Sequence, residues 1–198
     1  TLVLALLNLV ANPPRVWAQR PGLLETTFNT AVGTSFAAVT ALTKDGSGNI
    51  YVAYGGTVKK ITSAGATSLT ITTADTQVNG LAVDSAGNII VATRIKGIYR
   101  YTSAGALDST FNTNAYSGST AAGSYLSNSV LSGVAVQTVT NGRIIVASAG
   151  ANSTNRLVGV QDLPTTASNA GNIDTTFTQT SITSAMGTPS DLYLDSAN

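Results

Sequence analysis

The chain has 198 residues, ten lysines and arginines against nine acids, a formal net charge of +1, and neither cysteine nor histidine. Without cysteine there is no disulfide framework and no thiolate metal site, and without histidine the commonest general base and zinc ligand are missing. The near-neutral balance leaves no electrostatic footprint for nucleic acid or anionic lipid. With charged residues at only 10%, the polar surface rests on Thr, Ser, Asn and Gly, a composition closer to extracellular β proteins than to cytosolic enzymes.

In chain order, Thr1–Ala11 is almost wholly apolar, Pro13-Pro14 ends the run, and Val16-Trp17-Ala18 offers a small-x-small cleavage site. Residues 1–18 are therefore expected to be a secretory signal peptide cut after Ala18. A membrane-spanning helix needs roughly 20 apolar residues, and this run stops short of that. The expectation is an exported protein, secreted, periplasmic or on the cell surface, whose mature chain does not insert into a membrane.

Two motifs recur from Leu24 onward. One is an apolar run, an Asp/Gly/Asn turn and a second, β-branched run, clearest in Val78–Val83, Asp84–Asn88 and Ile89–Ala92. It returns as Val39–Asp45 before Gly48–Ala53, as Leu131–Gln137 before Gly142–Ala147, and as Pro189–Asp195, so Leu42, Leu81, Val134 and Leu192 hold one repeated position. The alternation, the turn residues and the Val/Ile enrichment predict a β-hairpin in each copy. The other motif is Leu24-Glu25-Thr26-Thr27-Phe28, repeated at Leu107–Phe111 and Ile173–Phe177 and degenerate near Leu69-Thr70-Ile71. A strand lies between the two motifs at Thr57–Ile61 and again at Gly97–Tyr101, each copy running into Thr-Ser-Ala-Gly-Ala.

Four short antiparallel strands in a unit of about 40 residues predict a propeller blade. The fold expectation is all-β, a partial β-propeller of four-stranded antiparallel sheets with about three blades and the start of a fourth. The blades fall at 38–76, 77–113, 130–178 and 188–198 within an incomplete domain over 19–198, and Leu24–Phe28 is an outer strand closing the ring. Inner strands covered on both faces should be continuously apolar, as Ile89-Ile90-Val91 and Ile144-Ile145-Val146 are. The residues Gly80–Ala92 resemble the core of an NHL repeat. Leu-Asp-x-Thr-Phe coupled to Gly-Arg-Ile-Ile-Val-Ala is similar to the delta-60 repeat of bacterial exported propellers. The resemblance implies a propeller fold; such propellers serve as binding platforms and surface proteins and, in related families, as lyases or lactonases.

Six of the nine acids sit at repeated positions: Glu25, Asp108 and Asp174 before the Thr-Phe pair, and Asp45, Asp84 and Asp195 at the hairpin turn. At a turn an Asp accepts from backbone N–H groups that would otherwise lack partners. The loop Asp45–Asn49 lacks the further carboxylates of a calcium site. No metal site, cofactor site or catalytic set emerges. Phe28, Phe111 and Phe177 are expected packing anchors, and Tyr99 and Tyr101 share a strand face.

Function is expected at the end of the blades where connections vary in length, since a rigid scaffold with variable loops is where ligands are met. The candidate face comprises Tyr54, Arg94, Lys96, Tyr116, Tyr125, Asn152, Asn155 and Arg156, suited to a polar ligand such as a glycan, a peptide or a protein partner. The reading is a non-catalytic binding or scaffolding module. The alternative is a propeller hydrolase or lyase of lactonase-like kind whose catalytic residues lie outside this stretch; of the acids here, Asp191 alone stands near a strand outside the repeated positions.

Overall fold

The computed structural model describes residues 36, 38–117, 130–137, 142–149, 155–164, 166–178, 180–182 and 192–194. Strands β1 (Val39–Lys44), β2 (Ile50–Tyr54), β3 (Thr57–Ile61) and β4 (Thr67–Thr72) form the first sheet in chain order. The second sheet is β5 (Val78–Val83), β6 (Ile89–Thr93) and β7 (Ile98–Tyr101), followed by helix α1 (Ser109–Ser117). The third is β8 (Val130–Gln137), β9 (Arg143–Ala149), β10 (Asn155–Gln161) and β11 (Thr180–Ile182). All pairings within the sheets are antiparallel between chain neighbours, and none of the sheets closes on itself.

The expected hairpins are β1–β2, β5–β6 and β8–β9, and in the first two the turns follow from their residues. In the first, Asp45 N–H donates to the Asn49 carbonyl at 3.0 Å and Gly48 N–H returns to the Asp45 carbonyl at 3.1 Å. Asp84 to Asn88 repeats the arrangement, and Thr62–Ala66 and Thr102–Ala106 repeat it again with a threonine hydroxyl in place of the carboxylate. The fourth residue turns into the left-handed region, at φ 80° for Gly48 and 82° for Gly87, where a side chain would be strained. The carboxylates work as expected: Asp45 Oδ1 accepts from the N–H groups of Ser47 and Asn49, and Asp84 Oδ1 from that of Asn88.

The sheets pack through two apolar layers. Tyr51, Ala53, Val58 and Ile71 of the first sheet meet Val78, Leu81, Ile89 and Val91 of the second. On the opposite face of the second sheet, Ile90, Ala92 and Ile98 meet Leu131, Ile144, Val146, Val158 and Val160 of the third. Because side chains alternate along a strand, β6 feeds Ile89 and Val91 into one layer and Ile90 and Ala92 into the other, and it is buried throughout. Each such isoleucine contributes about 1.5–3 kcal/mol of burial free energy. The leading strands β1, β5 and β8 lie side by side. Gly80 permits the closest approach, since a Cβ there would stand 3.2 Å from the Val134 backbone nitrogen. Asn79 Nδ2 donates across the gap to the Leu131 carbonyl at 2.7 Å.

One element departs from expectation. In its two described full copies the Leu-Asp-x-Thr-Phe motif is not a fourth strand, whereas the degenerate copy Leu69-Thr70-Ile71 lies in β4. Leu107 makes a single bridge to Tyr101 and the chain then turns into α1, because Asp108 caps a helix: its Oδ1 accepts the Phe111 N–H at 3.1 Å, and its carbonyl accepts that of Asn112. The Ile173 copy likewise makes one bridge, to Val160, and turns at Asp174–Phe177, so the strand completing the third sheet is β11, past residue 178. Phe111 is an anchor as expected: it is fully buried in the layer between the second and third sheets with Ala115 and Ala170. The Leu24–Phe28 strand, the signal-peptide residues and the hairpin after Pro189, apart from residues 192–194, lie outside the described residues.

Candidate functional site

The expected variable end of the sheets is built from the β2–β3 turn, the β4–β5 connection and the β6–β7 loop, and one buried acid ties them together. Asp75 Oδ2 accepts the N–H groups of Ile95 at 2.6 Å and Lys96 at 2.9 Å, while Oδ1 accepts that of Gln77. Thr73 Oγ1 donates to the carbonyls of Gly56 and Asp75. Val78 N–H reaches Gly55, and Arg94 N–H reaches Gln77. A Cβ on Gly56 would overlap the Asp75 carbonyl oxygen, so glycine is obligatory at that crossing. Burial pushes the Asp75 carboxyl up, but the N–H groups of Ile95 and Lys96 and the Thr93 hydroxyl outweigh it and hold the pKa below 3.8. With its backbone fixed in this way, the loop presents Arg94, Ile95 and Lys96 to solvent from a rigid base.

The expected site residues divide accordingly. Arg94 and Lys96 share this exposed loop, and Tyr54 stands at the same end beside the Gly55-Gly56 turn. The Tyr54 ring meets Phe36 edge to face at 5.4 Å between centroids, with Lys59 Nζ 5.7 Å from its own centroid, so it is half-buried in an aromatic and cationic cluster. Tyr116 falls in α1. Asn155 and Arg156 are β10 strand residues paired with Ala149 and Ser148, where a loop was expected. Tyr125 and Asn152 lie outside the described residues.

Sequence reasoning missed a cavity of about 510 Å³ between the leading strands. Its walls are Thr40–Lys44 of β1, Asn79–Val83 of β5, Val134–Val136 of β8 and residues 192–194. These are the same stations of four successive hairpin copies. The signal was present in the repeated position of Leu42, Leu81, Val134 and Leu192, which the fold brings around one space. Thr40 and Thr43 give the walls hydroxyl groups, the Asn79 amide is engaged by Leu131 and Gln77, and Lys44 is the one charged lining residue among the described residues. Leu42 is 65% exposed there, whereas its counterparts Leu81 and Val134 are 7% and 6% exposed.

At the opposite, short-turn end two arginines organise the Asp-x-Thr-Phe motifs. Arg100 lies 4.5 Å over the Phe111 ring centroid and bonds Asp108 through Nε and Nη2. Arg143 lies 5.2 Å over Phe177 and bonds Asp174 and Thr176. For Asp174, burial is again outweighed, by Thr176 and Arg143, and the pKa lies below 3.8. Among the described residues no three His, Cys, Asp or Glu side chains gather in an arrangement able to hold a metal ion, and no helix is long and apolar enough to cross a membrane. Set against models of known protein families and against curated proteins, the chain matches none.

Proposed function

We propose that this chain is part of a β-propeller that acts outside the cytoplasm as a non-catalytic binding module for a polar ligand, a glycan or an extended peptide. The observation that carries the reading is the cavity: equivalent stations of successive hairpin copies surround one space, as the leading strands of propeller blades surround an axis. The rigid loop with Arg94 and Lys96 supports it by placing exposed donors on a braced backbone at one end of those strands, where little ordering entropy is lost on binding. Threonine hydroxyls and the Lys44 ammonium supply the hydrogen bonds, and Leu42, Leu192 and Tyr193 the apolar contact.

The test is a thermal-shift screen of the purified chain against soluble oligosaccharides and short polar peptides, with calorimetric titration of any hit. Arg94→Ala/Lys96→Ala and Thr40→Val are expected to weaken binding about tenfold, near 1.4 kcal/mol, without moving the melting temperature of the unliganded protein. Affinity unchanged in both variants, or turnover of the probe, would refute the reading.

A further inference from the structure

The outer edge of each sheet is finished differently. In the second sheet the outward groups of Arg100 in β7 are taken up: its N–H donates to Asn112 Oδ1 at 3.2 Å, and its carbonyl accepts the Asp108 N–H at 3.0 Å and Asn112 Nδ2 at 3.1 Å. In the third, the Gly159 carbonyl accepts the Asp174 N–H, Val160 bridges Ile173, and the last strand, β11, is only three residues long. The first sheet ends on the six residues of β4, and among the described residues no strand pairs with its outer side. Thr67, Ser68, Thr70 and Thr72 are exposed there, and the strand carries neither charge nor proline, the usual guards of an open edge.

Thr73 N–H donates to the Gly56 carbonyl at 2.8 Å, which fixes the phase of the β3–β4 ladder. Facing residues of an antiparallel pair alternate between bonded and unbonded. Ile71 opposite Val58 and Leu69 opposite Lys60 therefore turn their backbone groups toward β3, and Thr70 and Thr72 turn theirs outward. The ladder slips at Lys60/Ile61 and leaves Ser68 with no facing residue, so the regular stretch is Leu69–Thr72. The side chains of Leu69 and Ile71 are spoken for: they pack toward the second sheet, whose Thr102–Ala106 turn covers them so closely that a Cβ on Gly105 would stand 2.8 Å from Leu69. The rim of β4 thus offers bare peptide groups and hydroxyls, and no apolar patch.

We propose that β4 pairs edge to edge with β4 of a second copy of this chain, antiparallel about a two-fold axis at Ile71. In that register Thr70 of each copy faces Thr72 of the other, and each such pair exchanges both backbone hydrogen bonds within the regular stretch. Ile71 faces its own counterpart, so one face of the joined sheet is apolar and the other carries threonine hydroxyls. The composition of β4 selects a second copy. Two-fold self-pairing sets each residue against itself or a near neighbour, so any charge would meet its like, and β4 has none; a foreign strand imposes no such demand. The contact is narrow, which makes the dimer weak and dependent on concentration. In its sheet β4 lies at the opposite side from the cavity-lining β1, so the pairing leaves the cavity untouched and stands apart from what the cavity binds.

The experiment is sedimentation velocity of the full chain from low micromolar to submillimolar concentration. The wild type is expected to pass from monomer to dimer as concentration rises. Thr70→Pro removes an outward N–H that β3 does not use, and Thr70→Lys/Thr72→Lys sets like charges against one another across the join. Both variants should stay monomeric over the same range and keep the melting temperature of the dilute wild type. A wild type that is monomeric throughout overturns the proposal, including one whose edge serves another protein's strand, and so does a dimer that persists in either folded variant. Should the variants not fold, cross-linking decides, since the chain has no cysteine of its own. Thr70→Cys and Thr72→Cys chains face one another in this register within disulfide reach. A disulfide-linked dimer confined to their mixture supports the pairing; no linkage, or equal linkage in either variant alone, overturns it.

Discussion

Arg100 and Gly159 occupy the same station of successive sheets: the carbonyl of each accepts the N–H of the following motif aspartate, Asp108 at 3.0 Å and Asp174 at 2.9 Å. Each also faces the matching isoleucine of the neighbouring strand, Ile90 or Ile145. Where β7 carries an arginine, β10 has only hydrogen, and the Phe177 ring fills the space so closely that a Cβ on Gly159 would stand 2.8 Å from it. The cation for the second aspartate comes from the adjacent strand as Arg143. Both motifs thus end with one guanidinium on one aspartate and one phenylalanine, reached from different strands.

Arg100→Ala is expected to be the most damaging single change in the described chain. It leaves Asp108 and Asp162 buried without their cation, at a cost of about 3–5 kcal/mol in denaturant unfolding. Arg100→Lys should recover little, because an ammonium cannot repeat the forked contact through Nε and Nη2.

Arg143→Ala should cost less, about 1–2 kcal/mol, because its side chain is 15% exposed and water can reach the aspartate it leaves. Equal losses at Arg100 and Arg143 in the same unfolding assay would contradict this ordering.

Acid should unfold the protein through Asp75 and Asp174. Both have folded pKa values below 3.8, so the unfolded chain takes up protons first; their contribution is present above that pH and is lost as pH falls through the depressed values. The protein is therefore expected to keep this stability at neutral pH and to lose it along an acid limb that sets in near about pH 4. Urea midpoints from pH 2 to 8 would locate it, and Asp75→Asn should blunt the acid limb.

Gly80→Val should force β5 away from β8, since the Cβ alone already comes within 3.2 Å of the Val134 backbone nitrogen. The expected loss is about 1–3 kcal/mol, read as a lower melting temperature.

Ser148→Ala should be neutral or stabilising by up to about 1 kcal/mol. Among the described residues the Ser148 hydroxyl is buried without a hydrogen-bond partner, so removing it relieves a desolvated polar group. A clear loss of stability in unfolding would show that the hydroxyl is bonded.

The hairpins were legible because alternation, turn glycines and β-branched runs are local signals that agree with one another, and Asp45 and Asp84 act within five residues of themselves. Helix α1 was obscured because repetition argued for a strand at Leu107–Phe111. The Asp-Ser-Thr start, a capping pattern, argued for a helix and prevailed once Phe111 could be buried from the helical face. Asp75, Asp162 and Arg100 were passed over for a different reason. Their partners lie as far as 62 positions away in the chain, and no spacing announces a contact made by stacking one sheet on another. Arg94 and Lys96 were legible as an exposed cationic loop, but the acid that holds its shape was not.

Strand β6 gives alternate side chains to two separate apolar layers and leaves none for solvent. Melting one layer would therefore strip the other of half its wall. The three sheets should lose heat-resistant order together, as a single calorimetric peak whose van't Hoff and measured enthalpies coincide, and not one sheet at a time as in loosely strung repeat arrays.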